Sequence, residues 1–416
     1  MHKLFDLSIT RKILHYPLML CGSIGSLLIL TLLWLISPII KIRMGALIGQ
    51  RIGHLALNTD LFFRKQQLHH ENKRIITIFI VGRVANQQLL KMWKRHAIII
   101  QSQLIRGLFE YSRWIWEKTH FYEPLDMFSN EYYEFNAAQP TLTFPQEEKI
   151  KGNNALREMG INPDKDWFVC ILARDSAYLN KELGQQKDWS YHDYRNVDID
   201  TYVLAIDHIV ALGGFVIRMG YHVNKVLNYK HPKVIDYAIK GRTDFMDIFL
   251  AGNCRFFLGN NSGMIHVAQI FDRPQVGVNV APPTSMVFGK NCLFIPKKIK
   301  NLASDEFISF KKFITESVSP NEFEFYSHGM LAKGWTYEDN SPEEILDVTV
   351  EMIERLEGRY HPTEEDTQLL NKYYSLYPKN HWAEKNKTPI GIKFLKENQK
   401  LFFEKEISLL DCDETA

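Results

Sequence analysis

The sequence predicts an α/β protein with two parallel-sheet domains that follow an apolar N-terminal segment. Short apolar runs alternate with helical patterns through most of the chain, which is typical of a parallel sheet covered by helices. Residues 130–148 interrupt this alternation, since they have little periodicity and contain Pro140 and Pro145. A length of 416 residues also exceeds one ordinary core, so we expect two Rossmann-like domains.

Composition and charge exclude several classes of protein. Hydrophobic residues make up 45% and charged residues 24% of the chain, the balance of a globular protein and not of a disordered or fibrous one. A formal net charge of +2 gives no overall attraction to nucleic acid, so we expect no nucleic-acid partner. The five cysteines are odd in number and are not spaced as metal ligands, which favours a reducing compartment.

Residues 18–35 form an uncharged apolar run, with Arg11 and Lys12 before it and Lys41 after it. As a helix this run is about 27 Å long, close to the roughly 30 Å hydrocarbon core of a bilayer. Its length and the lack of a clean cleavage site argue against a signal peptide, and the absence of a polar face argues against a buried core helix. We therefore expect residues 1–38 to associate with a membrane, either as a single span or as a partly inserted helix.

The first domain is predicted over residues 39–145. Its expected elements are, in order, a strand at 39–44, a basic glycine-punctuated loop at 45–53, a helix at 55–68, a strand at 75–81, a helix at 87–94 and a strand at 97–100. His54, Asn58 and Asp60 follow the first strand of this half. An aromatic helix is expected at 104–116, either as a core or interdomain helix or as a membrane-interface or lipid-acceptor surface.

The second domain is predicted over residues 146–358, and a charged, partly helical tail over 359–416. Gly213-Gly214 indicates the left-handed end of a helix at 200–212. Ser341-Pro342-Glu343-Glu344 indicates the capped start of a helix that ends before Gly358. The other expected elements are strands at 167–172, 215–219, 234–237, 255–258 and 275–279, a short helix after Thr243 and a helix at 264–271.

Ligands of open parallel sheets bind beyond the carboxyl ends of the strands, so four loops of the second domain are candidates. They are the loops at 174–176, 218–221, 260–263 and 281–285. In the third loop, Ser262 and Gly263 open a helix that carries His266 one turn further on. This arrangement favours diphosphate binding through free backbone N–H groups, with an ordinary turn and a buried histidine as the alternative.

Arg174 and Arg218 follow neighbouring strands and are expected at the same rim of the sheet. Arginine suits bidentate contact with phosphate. Either side chain could instead form a structural ion pair, Arg174 with Asp175 and Arg218 with Asp207. Two arginines together with the Ser-Gly turn favour a phosphate site.

Several motifs resemble those of known glycosyltransferases. Residues 261–268, Asn-Ser-Gly-Met-Ile-His-Val-Ala, resemble the Asp-Ser-Gly-x-x-His-x-Ala motif of bacterial heptosyltransferases. The chain more closely resembles a bacterial family of glycosyltransferases from polysaccharide gene clusters, through blocks at 51–58, 174–179, 194–196, 218–220 and 338–341. These blocks occur in a consistent order over roughly residues 39–358.

The resemblance implies a GT-B-like fold with the acceptor in the N-terminal half and the donor in the C-terminal half. It implies transfer of a hexosyl or heptosyl group from a nucleotide-sugar donor to a glycan or lipid-linked acceptor. The setting would be bacterial surface polysaccharide synthesis, at the cytoplasmic face of the inner membrane. The nucleotide-sugar is then a substrate, and no cofactor or metal is expected if arginines and helix N-termini neutralise its phosphates.

The site hypothesis assigns three groups of residues. They are the catalytic residues His54 and Asp60, the acceptor-side residues Arg51 and Asn58, and the donor-binding residues Arg174, Asp175, Arg218, Gly220, Asn261, Ser262, Gly263 and His266. Heptosyltransferases carry aspartates where this sequence has His54 and Asn261. A histidine can deprotonate a hydroxyl because its pKa lies near neutral pH, although His54 could also be a ligand contact or a packed residue.

Two charged motifs are given structural interpretations. Asp198-Ile199-Asp200 has the form of a metal-binding pair but precedes a helix, so we interpret it as helix capping. Lys297, Lys298 and Lys300 are expected in an exposed loop.

Two other functions stay open at this point. The same scaffold could carry a nucleotide-sugar epimerase or hydrolase, which would convert the donor without an acceptor. A non-catalytic, membrane-tethered sugar-nucleotide sensor or scaffold would bind the donor without turnover. A fold by itself does not separate these functions.

Overall fold

The computed structural model describes residues 9–69, 75–125, 132–175, 190–284, 288–317, 329–379 and 381–403. The chain divides into two compact units, Met1–Thr143 and Phe144–Ala416. Each unit contains a parallel sheet, so the protein is mixed α/β as the sequence predicts. Residues 176–179 of one resemblance block lie outside the described residues, as does Ser285 of the fourth candidate loop.

Unit 1 is a four-stranded parallel sheet with helices packed on it. Its elements are α1 (Ile9–Ile36), β1 (Lys41–Ala46), α2 (Ile52–His69), β2 (Ile75–Val81), α3 (Gln87–Trp93), β3 (Ile98–Gln101), α4 (Gln103–Tyr111), α5 (Arg113–Trp116), β4 (Tyr122–Glu123) and α6 (Tyr132–Ala137). The strand order is β3-β2-β1-β4, and every pairing is parallel. The short edge strand β4 was not expected from the sequence.

Two helices of unit 1 differ from their predicted bounds. Helix α2 begins at Ile52, so His54 lies in its first turn and not directly before it. The aromatic helix expected at 104–116 is two helices, because Ser112 ends α4 and begins α5. The Ser112 hydroxyl donates to the carbonyls of Leu108 and Phe109, at 2.9 and 3.2 Å, and this competes with continuation of the helix.

Unit 2 is a six-stranded parallel sheet with helices, a small antiparallel pair and C-terminal helices. Its first half holds α7 (Gln146–Glu158), β5 (Phe168–Leu172), 3-10 turns at Ser190–Arg195 and Ile199–Tyr202, α8 (Val203–Ala211), β6 (Phe215–Arg218), β7 (Val234–Ile235), α9 (Asp244–Asn253), β8 (Phe257–Gly259), α10 (Gly263–Ile270) and β9 (Gln275–Val280). Its second half holds β10 (Cys292–Pro296), β11 (Lys298–Asn301), α11 (Phe310–Ser317), α12 (Met330–Ala332), β12 (Trp335–Glu338), α13 (Pro342–Leu356), α14 (Glu364–Tyr374), α15 (Trp382–Asn386), α16 (Ile392–Glu397) and α17 (Gln399–Phe403).

The sheet of unit 2 has the order β10-β9-β8-β5-β6-β7. Counted from its own first strand, β5, this is the doubly wound order of dinucleotide-binding sheets. The chain moves outward in one direction from β5 to β7 and then in the other direction from β8 to β10. The loops after β5 and β8 therefore leave the sheet toward opposite faces, and this switch point is where such sheets bind ligands.

Several local predictions for unit 2 are confirmed. Gly213 has φ +87° and ends α8 in the left-handed conformation. Ser341 and Glu344 form a reciprocal capping box at the start of α13, with hydrogen bonds of 3.2 and 3.0 Å. The helix expected at 200–212 begins instead as the 3-10 turn Ile199–Tyr202 and becomes α-helical at Val203.

The C-terminal segment contributes to the core of unit 2. Tyr373 of α14, Phe394 of α16 and Phe402 of α17 are at most 2% exposed and pack in the same cluster as β9 and α13. Phe310 stacks on Phe402 with ring centroids 4.1 Å apart. These helices therefore cover the sheet's own core and belong to the folded unit.

Candidate functional site

The switch point of unit 2 is built around Asn260, which follows β8. Its side chain is fully buried and bridges two loops. The Asn260 Oδ1 atom accepts a 2.9 Å hydrogen bond from the backbone N–H of Arg174, and its Nδ2 atom donates to the carbonyl of Arg195 at 2.5 Å. Asn260 thereby holds the loop after β5 beside the loop after β8.

The Arg174 guanidinium places a positive charge at this switch point. Its Nη1 atom donates a 2.6 Å hydrogen bond to Oδ1 of Asn196, a neutral amide. Burial lowers the pKa of Arg174 to about 10, with the nearby Arg195 guanidinium adding to the effect. The side chain is therefore still charged at neutral pH and contributes positive charge to this edge of the sheet.

A second cation, Lys297, lies close to Arg174 and corrects the sequence interpretation. Lys297 was expected in an exposed loop, but it is only 2% exposed. Its Nζ atom donates to the carbonyl of Asn196 at 3.1 Å and pairs with Oδ1 of Asp339 at 2.5 Å. Burial lowers the pKa of Lys297, and Arg174 lowers it further, while Asp339 opposes both.

The position of Lys297 in the chain explains why it is buried. It directly follows the fully buried strand β10, and its backbone N–H donates to the Val280 carbonyl at 3.0 Å. Lys298 and Lys300 lie on β11 and pair with Glu344 and Asp305 instead. The sequence signal for Lys297 was its place at the carboxyl end of a buried run, where ligand-facing residues occur.

The N-terminus of α10 faces the same switch point. Ser262 is the N-cap residue, but its side chain makes no capping hydrogen bond. Within the described residues, its Oγ atom is buried and has no hydrogen-bond partner. A buried hydroxyl and the unsatisfied N–H groups of a first helical turn together favour an anionic ligand.

Asn261 and His266, the other residues of this motif, have defined contacts. Asn261 Oδ1 accepts a 3.0 Å hydrogen bond from the Ala281 N–H and so holds the loop after β9. His266 Nδ1 lies 2.9 Å from Oε1 of Gln269 on the same helix. His266 is half-buried, so both residues help to order the rim of the site.

Arg218 corrects a second interpretation, because its carboxylate partner is Asp236 and not Asp207. Its Nη1 atom lies 3.1 Å from Asp236 Oδ2, and the side chain is 2% exposed. Asp236 also accepts from the Leu227 N–H at 3.1 Å. Arg218 therefore helps, together with Asp236, to order the loop after β6. Asp207 accepts from the Tyr229 hydroxyl instead.

Asp175 and Gly220 belong to the same loop arrangement. Asp175 Oδ2 accepts a 2.7 Å hydrogen bond from the Asn224 N–H, and a Cβ atom at Gly220 would lie 2.8 Å from the Val223 side chain. The structure thus brings Arg174, Asn261, Ser262 and Gly263 to the switch point, whereas Asp175, Arg218 and Gly220 hold the neighbouring loop.

In unit 1, His54 lies at the corresponding place, in the first turn of α2 after β1. Its Nδ1 atom is 3.1 Å from Oδ1 of Asn58, one turn further along the helix. Since that oxygen can only accept, we assign the proton to Nδ1, which makes Nε2 the basic nitrogen. Burial lowers the pKa of His54, Arg51 adds to this, and the Asn58 contact opposes it.

Asp60, the other residue predicted to be catalytic, lies in the core of unit 1 and not beside His54. Its side chain is fully buried and pairs with Arg64, whose Nε atom is 2.6 Å from Asp60 Oδ2. Arg64 also donates to the carbonyls of Phe135 and Ala138. Burial raises the pKa of Asp60 to about 6, although Arg64 opposes this. Six residues rotate a helix by about 240°, so Asp60 points away from His54 into the core.

A shallow, open cleft lies at the carboxyl edge of the unit 1 sheet. It has a volume of about 590 Å³ and is lined by Gln50, Gly82, Arg83, Gln101, Ser102 and Gln103. These residues follow β1, β2 and β3, so they share one edge of the sheet. None of them was selected from the sequence, because Gln50, Gln101 and Gln103 belong to no recognisable motif.

No cluster of three or more histidine, cysteine or acidic side chains suited to a metal occurs in the ranges that the structure describes. Asp198 accepts from the Asp200 N–H at 3.0 Å, as expected of a helix cap. Lys225 pairs with Asp198 at 2.7 Å and with Asp200 at 2.6 Å.

Comparison with known proteins gives distant structural similarity only. No family model matches the chain, and no curated protein matches it in sequence. A solved glycosyl transferase family 9 protein from Veillonella parvula is similar over 76% of this chain and 97% of its own, with 11% identity and a TM-score of 0.45. Two further solved structures are also similar.

The ADP-heptose LPS heptosyltransferase II of E. coli matches over 62% of this chain and 90% of its own, with 14% identity and a TM-score of 0.40. The iron-containing heptosyltransferase TibC, solved with ADP-D-β-D-heptose, matches over 76% and 78%, with 15% identity and a TM-score of 0.36. All three similarities are distant in sequence and in structure. Activity has to be argued from the residues of this chain.

Proposed function

We propose that this protein is a glycosyltransferase that moves a sugar from a nucleotide-sugar donor to a glycan or glycolipid acceptor in bacterial surface polysaccharide synthesis. The proposal rests on one observation, the meeting of Arg174 and Lys297 with the uncapped N-terminus of α10 at the switch point of unit 2. The half-buried Arg174, the buried Lys297 and the buried Ser262 hydroxyl would together suit a ligand with two adjacent anionic groups. A diphosphate ester has this form.

Donor binding would use each element of this cluster. The Arg174 guanidinium would contact the phosphates in bidentate geometry, and Lys297 would add a second positive charge. Ser262 Oγ and the first N–H groups of α10 would donate to the phosphate oxygens. Negative charge grows on the diphosphate as its bond to the sugar breaks, so the same groups stabilise the leaving group. In other transferases a divalent ion neutralises the diphosphate. Arg174 and Lys297 would neutralise it here, so we propose that the transfer needs no metal.

His54 would act as the general base in unit 1. Its Nε2 atom takes the proton of an acceptor hydroxyl while that oxygen forms a bond to the anomeric carbon of the donor. The bond between that carbon and the diphosphate breaks, and a nucleoside diphosphate leaves. The contact with Asn58 and the lowered pKa support this role, because His54 is then neutral at pH 7. The glutamines of the cleft would bind acceptor hydroxyls.

Membrane attachment is the second part of the proposal. By length and composition, Tyr16–Ile36 could cross a bilayer. The exposed cysteine Cys21 and the buried free cysteines Cys170, Cys254 and Cys292 fit a reducing compartment. We therefore propose that the protein acts at the cytoplasmic face of the bacterial inner membrane, on a glycan or lipid-linked acceptor.

A thermal-shift screen against UDP-, GDP-, CMP- and ADP-sugars tests the donor site. We expect one nucleotide class to raise the melting temperature of the wild type but not of Arg174→Ala. Arg255→Ala is the matched control, since Arg255 precedes β8 at the opposite edge of the sheet and stacks on Trp167 at 4.4 Å. Equal shifts in all three proteins would place the nucleotide elsewhere and reject the proposed site.

Turnover separates the proposed activity from its rivals. A glycosyltransferase releases nucleoside diphosphate only when an acceptor is present, apart from slow hydrolysis. An epimerase or hydrolase converts the identified donor alone, and a scaffold binds it without turnover. Product analysis with and without a membrane-lipid extract as acceptor distinguishes the three outcomes.

A further inference from the structure

Helix α1 is packed along one side against α4 and α5 within unit 1. Ser26 Oγ lies 2.7 Å from Ser112 Oγ and accepts a 2.8 Å hydrogen bond from Trp116 Nε1. A Cβ atom at Gly22 would lie 2.6 Å from the Leu108 carbonyl, so the two backbones approach as closely as glycine permits. Leu30 and Leu33 continue the contact into the core.

The remaining sides of α1 are apolar and exposed. Leu20, Leu28, Leu32 and Trp34 are each more than 60% exposed. A helix of this composition is buried in most proteins or embedded in lipid. Because only one side of α1 packs against the protein, the other sides need an apolar environment from outside the chain.

The exposed apolar surface extends from α1 onto α4. Leu104 is 67% exposed and lies one turn before Leu108, the residue that meets Gly22. Ile105 is 42% exposed and lies one turn before the buried Phe109. The row of α4 residues that packs on α1 thus continues beyond the contact as an exposed apolar row.

The sheet adds strand β3 to the same surface. Ile78 and Ile80 face the core cluster that contains Leu30 and Leu33 of α1. They pair directly with Ile98 and Ile100, and paired residues of neighbouring strands point to the same face. Ile98 is 54% and Ile100 37% exposed. The side of the sheet that carries α1 therefore exposes further isoleucines.

Charged residues beside α1 limit how deeply this surface can enter a bilayer. Arg106 pairs with Glu110 on α4, and Arg113 of α5 pairs with Glu117 at 2.7 Å. If α1 stood across the bilayer in this packed arrangement, these charges would enter the hydrocarbon. Placing charged side chains at that depth is strongly unfavourable. Unpacking α1 instead would break the Ser26–Ser112–Trp116 hydrogen bonds.

We infer that α1, the exposed apolar row of α4 and the isoleucines of β3 form one monotopic membrane-binding surface, which lies in the bilayer interface without spanning it. The partner is a lipid bilayer. Trp114, 49% exposed with the Lys118 ammonium 5.4 Å from its ring, has the character of an interfacial anchor.

The surface borders the cleft of unit 1. Gln103 lines the cleft, and Leu104 and Ile105 follow it directly. An acceptor with a lipid tail in the bilayer and a sugar in the cleft would match this arrangement. This last step rests on the proposed function, whereas the membrane surface itself does not.

A disulfide lock tests whether α1 must leave the protein to bind membranes. The hydroxyl oxygens of Ser26 and Ser112 are 2.7 Å apart, so Ser26→Cys/Ser112→Cys places two thiols within reach of each other. Cys21→Ser in the background removes the exposed thiol. The test is flotation of the full chain with vesicles of phosphatidylethanolamine and phosphatidylglycerol. We expect the oxidised and reduced forms to float equally, and loss of flotation in the oxidised form would show that α1 detaches to span.

Charge substitutions test the contribution of α4. Leu104→Glu/Ile105→Glu should weaken vesicle binding by at least about tenfold, because two inserted side chains become charged. Leu302→Glu/Leu331→Glu, at sites 63% and 71% exposed in unit 2, should leave binding unchanged. Equal binding of both variants would show that α1 binds alone.

Two further measurements distinguish a loss of membrane binding from unfolding and from a failure of the proposed function. Thermal unfolding should show that each variant is folded, and the nucleotide-sugar shift should persist in both, since vesicle binding needs no donor. A stable dimer in lipid-free buffer that does not float with vesicles would overturn the proposal, because a second copy would then cover the apolar surface.

Discussion

The two units share a strand order but differ in the charge at the carboxyl edges of their sheets. In unit 1 the order β3-β2-β1-β4 is the third, second, first and fourth strand, and β7-β6-β5-β8 repeats it in unit 2. After its first strand, unit 1 has His54, which contacts Asn58. After its first strand, unit 2 has Arg174, and Lys297 at the end of β10 lies close to it. The same topology therefore carries different charge at the two edges, which accords with the proposed acceptor role of unit 1 and donor role of unit 2.

The outer layers of the units differ as well. Unit 1 carries α1, whose outer sides are apolar and exposed. Unit 2 carries α14, α16 and α17, which bury Tyr373, Phe394 and Phe402 in its own core. A parallel sheet needs cover on its faces, and the two units satisfy this need with different partners.

The largest expected effect concerns the base of unit 1. His54→Ala should lower kcat by about 10²–10⁴-fold, the usual contribution of general base catalysis, and should leave the donor thermal shift unchanged. The wild-type rate should rise with pH as His54 loses its proton and level off by pH 7, because burial lowers its pKa below 6.5. A pH profile that His54→Ala does not alter would remove this residue from the mechanism.

Substitution of Asp60 tests whether this residue is part of a structural ion pair or of the catalytic group. Asp60→Asn should reduce the free energy of unfolding by about 3–5 kcal/mol, because Arg64 keeps a buried charge without its carboxylate. Asp164→Asn breaks an exposed ion pair with Arg157 and should change the free energy of unfolding by less than about 1 kcal/mol. Denaturant unfolding measures both. A stable Asp60→Asn protein with greatly reduced kcat would restore Asp60 to the catalytic group.

Substitution of Lys297 tests whether the switch point of unit 2 binds the phosphates of the donor. Lys297→Met should raise the donor Kd by about 10- to 100-fold, the loss of one charge-assisted contact. The protein should stay folded, since methionine fits a buried position. Lys300→Met, which removes a partly exposed lysine paired with Asp305, is the control. Calorimetric titration with the nucleoside diphosphate would show equal affinities if Lys297 only orders the loops.

The smallest expected effects are those of alanine substitutions at two N-cap serines, Ser341 and Ser262. Ser341 caps α13 with a 3.2 Å hydrogen bond, whereas Ser262 makes no capping bond. Ser341→Ala should destabilise the protein by about 1 kcal/mol without altering donor affinity. Ser262→Ala should weaken donor binding by about 2- to 10-fold and change stability less. The opposite pattern would make Ser262 an ordinary helix cap.

Much of the local structure could be predicted from the sequence. The strand at 75–81 and the capping box of α13 depend on patterns within a few residues, and both occur as expected. The Ser262-Gly263 turn also opens a helix at the edge of a parallel sheet. These features follow from hydrophobic periodicity and capping chemistry, which act over short distances along the chain.

The partners of charged residues could not be predicted, because they depend on contacts between distant segments. Arg218 pairs with Asp236 and not with Asp207, although both lie within twenty residues of it. Asp60 is close to His54 in sequence but is rotated into the core, where Arg64 neutralises it. Which side of a helix is buried depends on how the helix packs against the rest of the protein. The spacing of residues along the helix does not reveal this.

The sequence by itself determined the α/β class, the two series of strands, the apolar helix and the Ser262-Gly263 turn that opens a helix, because each is encoded in a local pattern of residues. Only the tertiary structure decided that Lys297 joins Arg174, that Asp60 is withdrawn and that one side of α1 packs on α4. The reason is physical. Burial and charge pairing arise between residues far apart in the chain, as between Arg174 and Asn260, and the fold alone brings them together.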